Sequence, residues 1–195
     1  MPGFDTGDTT PGNIVNNSGG LVSWTNPSDA GALDSTAASA VLVNTQYTDG
    51  LLCTAFGFSL PSDTTSVDGF VVHIVRRAST AAWIQDYSLS IWSSGAAVGS
   101  SQHDGSTTWG TSYATKTYGG SANLWSVAPP SYSTINASGF GVRFQCTNLS
   151  MMDTITVEVD SIDMCVYYTA PGGSGIQRRL AQIGNRTASR QVWGA

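Results

Sequence analysis

The chain has 195 residues, enough for one domain with a substantial core, and carries 8 basic and 13 acidic side chains for a net charge of −5. Glu158 and Lys116 are its single glutamate and single lysine, while Gly, Ser and Thr are interleaved with aromatics and valine, which excludes a helix-rich fold and favours pleated strands and turns. No run approaches the roughly 18 apolar residues that cross a membrane, and the opening MPGFDTGDTTPGN has neither a basic start nor an apolar core, so a soluble chain without an ordinary signal peptide and with no membrane partner is expected.

Residues 1–20 read as an N-terminal extension. In VSWTNPSDAGALDSTAASAVLV, Trp24 is expected to pack where the first strand begins, Asn26-Pro27 to make a turn, and Asp34 to brace the loop before AASAVLV. Asp29 and Asp34 offer carboxylate oxygens but no defined ligand spacing, so no metal is expected there. In LLCTAFGFSL alternation predicts Leu52, Phe56, Phe58 and Leu60 on one face, and in GFVVHIVRR it predicts Phe70, Val72 and Ile74 inward with His73 on the solvent side. PSDTTSVDG between them reads as a turn cluster.

DYSLSIW predicts Tyr87, Leu89 and Ile91 inward, SSGAAVGSS a hairpin return, PSYSTIN a short turn of helix, and GFGVRFQC a strand with Phe140, Val142, Phe144 and Cys146 on one face. The last run, TITVEVDSIDMCVYYT, changes phase: Ile155, Val157 and Val159 are odd, whereas Ile162, Met164, Val166 and Tyr168 are even. A one-residue slip turns an apolar set outward, so a β-bulge is expected near Asp160 and Ser161. About eight short strands with Gly, Ser and Asn turns predict an all-β fold, an antiparallel two-sheet sandwich of jelly-roll type over residues 21–169. Cys53, Cys146 and Cys165 lie far apart in apolar runs with no CxxC spacing, and read as buried thiols, although one disulfide among them is open.

The order SWTNPSDA, AFGFSLPSDTTSVDGFVVHIVRRAS, TYGGSANLW, INASGFGVRFQ and VDSIDMCVYYT resembles a family of β-sandwich domains of tailed-phage and prophage virion structural proteins, over roughly residues 20 to 169. The resemblance implies a jelly-roll-like sandwich on the virion surface as capsid decoration, collar or fibre material. It carries no catalytic motif.

The residues themselves agree on the last point. There is no GxSxG, and His73 and His103 lack the partners an acid/base or metal site needs. Asp153, Glu158, Asp160 and Asp163 supply carboxylates for glycoside hydrolysis, but Glu158 and Asp160 share the face opposite Ile155, Val157 and Val159, which reads as a solvated strand face. No catalytic residue and no cofactor is expected. Sugar binding is the stronger functional rival: Trp92, Trp109, Tyr118 and Trp125, with Tyr113, fall in the middle third, and exposed aromatics stack on sugar rings. Trp92 stands out because it lies out of phase with Leu89 and Ile91.

After a Gly/Ser linker at 170–175, residues 176–195 carry four arginines and no acid, a net +4 against −9 for the rest. Ile176, Leu180 and Ile183 make a short apolar stripe. Ordering such a tail costs more chain entropy than its few apolar side chains return, so it is expected to fold on a partner. Ile176, Arg178, Arg179, Leu180, Ile183, Arg186, Arg190 and Trp193 are the candidate anchors of this docking arm, which is expected to be extended and partly helical. Four arginines on so acidic a chain make no nucleic-acid stripe. The sequence therefore predicts a non-enzymatic virion component, assembled as a homo-oligomer on capsid, neck or tail subunits through this arm, with a host-glycan-binding module as the alternative.

Overall fold

The computed structural model describes residues 3–171. In chain order these form β1 (Gly3–Asp5), β2 (Asn13–Asn17), a 3-10 turn (Pro27–Ala30), β3 (Ala38–Val43), β4 (Gly50–Thr54), β5 (Ser66–Ala78) and β6 (Ile84–Ser93). They continue through β7 (Ala96–Val98), β8 (Ala114–Gly120), a one-turn α1 (Tyr132–Ile135), β9 (Gly141–Asn148) and β10 (Thr154–Thr169). Two antiparallel five-stranded sheets result: sheet A runs β1-β10-β5-β8 with β3 also paired to β10, and sheet B runs β2-β4-β9-β6-β7. The expected all-β sandwich is thus the fold.

Between the sheets lies one continuous core that includes Phe70, Val72 and Ile74 of β5, Leu89 and Ile91 of β6, Val142, Phe144 and Cys146 of β9, and Ile155, Val157 and Val159 of β10. β10 is 16 residues long and is the hub of sheet A. It pairs with β5 along nearly its whole length, with β3 at one end (Thr154–Val159) and with β1 at the other (Tyr167–Thr169).

The expected bulge is present: the β10/β5 register shifts between Val159 and Ser161, so Ile162, Met164 and Val166 return to the core after the slip. One consequence differs from expectation. Asp160 is not solvated: it is 3% exposed at the bulge, where its Oδ1 accepts a hydrogen bond from the Ser35 amide of the loop before β3.

A second bulge, unmarked in the sequence, lies between Asp86 and Ser88 of β6. It ejects Tyr87, which is 47% exposed rather than inward, while Leu89 and Ile91 are buried as expected. Leu52 also points away from the core; Leu51 and Cys53 face it instead. The left-handed Ala55 (φ 58) resets the phase after β4, so that Phe56, Phe58 and Leu60 still reach the interior. The hairpin return is β6–β7, turning at Ser94 and Gly95, both with positive φ as a tight two-residue turn needs. Cys53, Cys146 and Cys165 are all free and buried, and burial pushes each thiol upward in pKa.

Candidate functional site

The outer face of sheet B is built by alternation. Because Val142, Phe144 and Cys146 of β9 and Leu89 and Ile91 of β6 point inward, Arg143, Gln145 and Thr147 and Ser88, Ser90 and Trp92 point outward. Registration sets them in rows across the strands: Leu52, Arg143 and Ser90 in one, Thr54, Gly141 and Trp92 in the next. Trp92 therefore has glycine on one side and Ala97 of β7 on the other. Its indole is half-buried and lies outside the core cluster, with only these small residues opposite it on the neighbouring strands.

Arg143 crosses the centre of this face. Its Nε donates to Asn17 Oδ1 at 2.7 Å, one Nη donates to Gln145 Oε1, and the other reaches the Ser18 carbonyl at 3.3 Å. Gln145 is held in turn by its Nε2 donating to the Thr48 carbonyl at 2.7 Å. A Cβ at residue 50 would stand 2.2 Å from Arg143 Nε, so Gly50 is what lets the guanidinium lie flat across β4. Burial lowers the Arg143 pKa, and neighbouring Asp49 opposes that shift.

At the other end stands an aromatic pair. Tyr47, bridged to Thr147 on one flank of β9, stacks on Tyr87, ejected by the β6 bulge on the other flank, with ring centroids 4.7 Å apart and planes 22° apart. From Tyr87 to Trp92 the strand advances about 16 Å. The face thus offers aromatic surface at both ends and the half-buried Arg143 guanidinium and Ser88 hydroxyl between them, while Gln145, 3% exposed with both polar atoms engaged, and Ser90 lie buried beneath.

Of the aromatics named from sequence, the structure places Trp92 on this face, Tyr113 beside Arg77 and Glu158 of sheet A, and Trp109, Tyr118 and Trp125 in the interior. Trp109 is 2% exposed, stacks on Phe144 and donates from Nε1 to Asp86 Oδ1 at 2.9 Å. Tyr118 donates its hydroxyl to Asp86 Oδ2 at 2.7 Å, and Trp125, fully buried, donates Nε1 to the Phe70 carbonyl at 3.3 Å. Being buried with their polar atoms engaged inside the protein, these three cannot stack on a sugar. The sequence reading missed Tyr47, Tyr87, Arg143 and Gln145. For Arg143 and Gln145 the signal was available, because they alternate with Val142, Phe144 and Cys146.

The acidic residues are dispersed. Glu158 pairs with Arg77 on the outer face of sheet A, Asp160 is buried, and Asp153 accepts from the Ser150 hydroxyl. Burial, with Asp8 nearby, raises the Asp163 pKa. No two of these carboxylates face each other across the outer face of sheet B. Asp34 braces its loop as expected, its Oδ1 accepting from the amide and hydroxyl of Thr36. No group of three or more His, Cys, Asp or Glu side chains is placed to hold a metal ion among the described residues. The arm residues Ile176, Arg178, Arg179, Leu180, Ile183, Arg186, Arg190 and Trp193 lie outside the described residues.

No family model and no curated protein sequence matches the chain. Among solved structures it is similar to one described as "CBM4 structure and function", at 13% identity over 81% of this chain and 93% of that one, with a TM-score of 0.40. It is also similar to the N-terminal cellulose-binding domain of β-1,4-glucanase C from Cellulomonas fimi, at 16% identity over 76% and 90% of the two chains, with a TM-score of 0.38. At these values the likeness carries no argument about ligand or mechanism.

Proposed function

We propose that the chain is a non-enzymatic carbohydrate-binding module whose glycan lies along the outer face of sheet B, between Trp92 and the Tyr47–Tyr87 pair. The observation that supports this most is the combination of a tryptophan outside the core, with only Gly141 and Ala97 opposite it on the neighbouring strands, and a guanidinium held in place by Asn17 and Gln145. Aromatic surface takes the apolar face of a sugar ring, and pre-oriented donors and acceptors take its hydroxyls with little ordering cost. A face of this kind binds without chemistry, because no opposed carboxylates stand over it.

The test is affinity gel electrophoresis of the full chain in hydroxyethyl cellulose, xylan, laminarin and a bacterial capsular polysaccharide. Retardation in at least one gel is expected, with Trp92→Ala and Tyr87→Ala each weakening it about tenfold, the equivalent of roughly 1.4 kcal/mol of lost stacking. Unretarded migration in every gel, or a Trp92→Ala protein as strongly retarded as wild type, overturns the reading.

A place on a phage particle, with residues 176–195 as the attachment arm, is a second proposal about where such a module works. The sequence feature that favours it is the separation of charge, +4 in the arm against −9 elsewhere. Light scattering after gel filtration, comparing the full chain with one ending at Gly175, is expected to give a defined oligomer and a monomer respectively. Equal masses for the two would remove self-assembly through the arm from the proposal.

A further inference from the structure

The opposite sheet carries a second, differently built concavity. Ser39, Glu158 and Arg77 stand directly opposite one another on β3, β10 and β5, and with Tyr113 and the Ser35–Ala37 loop they line a groove of about 470 Å³ on the outer side of sheet A. That volume falls within the range of small-molecule sites.

The groove is braced on every side. Arg77 Nε donates to Glu158 Oε2 at 2.6 Å, the Tyr113 hydroxyl donates to the same oxygen at 2.5 Å, and the guanidinium lies over the Tyr113 ring at 4.5 Å. The loop wall is fixed by Asp160, whose burial at the β10 bulge lets it hold the Ser35 amide, and by Asp34, which holds Thr36. Ser35 itself sits in the left-handed region (φ 72).

What is left over points to the ligand. Glu158 Oε1 and the hydroxyls of Ser35 and Ser39 make no hydrogen bond to another described residue, and the Arg77 guanidinium, held by Glu158 and Tyr113, has five N–H donors, more than these two partners take up. They offer a charged acceptor, charged donors and two hydroxyls that serve either way. The lining charges cancel, so an anion meets Glu158 and a cation meets Arg77. A neutral molecule with adjacent hydroxyls satisfies both, donating to the carboxylate and accepting from the guanidinium.

We infer that this groove is a second saccharide site, taking one neutral sugar ring by a pair of vicinal hydroxyls. It is separate from the sheet B face and stands or falls independently of it. Arg77 holds the Glu158 carboxyl below its ordinary value, so the acceptor stays ionised well into the acid range.

Amide-resolved NMR titration of the full chain with methyl glycosides of β-glucose, α-mannose and β-galactose tests it. At least one glycoside is expected to give saturable shifts at residues 35–39, 77, 113 and 158, with a Kd of roughly 1 to 10 mM, unchanged between pH 7 and pH 5. Those shifts should vanish in Glu158→Gln and weaken several-fold in Ser39→Val, while Trp92→Ala leaves them intact. No saturable shift in the groove with any of the three, equal shifts with sodium acetate, or shifts that survive both groove substitutions overturn the inference. Groove shifts without any on sheet B sink the proposed function and leave this site standing; the reverse pattern does the opposite.

Discussion

Asp86→Ala is expected to lower stability by about 3 to 5 kcal/mol, as much as truncating a buried aromatic of the core. Asp86 points from sheet B into the core. There its carboxylate meets Arg76 of sheet A at 3.1 Å, the Trp109 indole at 2.9 Å, the Tyr118 hydroxyl at 2.7 Å and the Asp104 amide at 3.1 Å. Burial pushes the Asp86 carboxyl above its ordinary value, with Arg76 pulling the other way. Truncation leaves a guanidinium that is 6% exposed with no counter-charge, and its Nε already lacks a hydrogen-bond partner among the described residues. Three further donors lose their acceptor at the same time, each a penalty of about 1 to 3 kcal/mol if water cannot reach it.

Urea unfolding followed by tryptophan fluorescence reads the loss directly. The double variant Asp86→Leu with Arg76→Met separates the two contributions: it should recover much of the stability, because the cost comes from the stranded charge rather than from the missing attraction. A single-variant loss below about 1 kcal/mol would mean that water enters beside Arg76 and that the core is wetter than its packing indicates.

Gly119→Ala is the second large effect, expected to cost about 2 to 4 kcal/mol. At φ 82 an L side chain is disfavoured by roughly 1 kcal/mol on backbone grounds alone. Its Cβ would in addition lie 2.1 Å from the Phe70 carbonyl oxygen and 2.5 Å from Trp125 Nε1. The absent Cβ is therefore what permits the buried indole to reach that carbonyl, and relieving the overlap forces apart a ladder position and a fully buried tryptophan. Gly95→Ala provides the control, since Gly95 has the same φ of 82 with nothing within 4 Å of the added carbon. It should lose only the backbone part, about 1 kcal/mol. Equal melting temperatures for the two variants would show that the neighbours of Gly119 give way freely.

These same residues explain what the sequence could and could not reveal. The β10 bulge was legible because apolar residues stand on both sides of it, so the switch from odd to even positions is visible. The β6 bulge was not, because the residue that keeps the inward phase before it is Asp86, a carboxylate whose partners come from residues 76, 104, 109 and 118. Alternation reads apolarity, and a polar residue buried through distant partners does not register in it. Tyr87 was accordingly assigned inward, and half of the aromatic pair on sheet B went unseen. Trp109 and Trp125 lie in irregular segments with no alternation to read, and Tyr118 sits in a polar strand, so nothing local separates a buried aromatic from an exposed one. Trp92 was placed correctly because its neighbours Leu89 and Ile91 are unambiguous.

The place of β10 in sheet A also bears on how the chain is made. β1, β3 and β5 all pair with it, and among the described residues it is the last strand in chain order. Until residues 154–169 have emerged, β1 and β3 have no partner in sheet A, and the inward faces of Phe70, Val72 and Ile74 await the strand that packs beside them. A nascent chain of this topology waits until β10 has been made with strand edges unpaired, held back by long-range closure rather than by local structure. Slowing elongation before β10 therefore lengthens its exposed interval instead of helping it fold, and yields in cells should track chaperone supply and the speed of the ribosome up to the codon for residue 169.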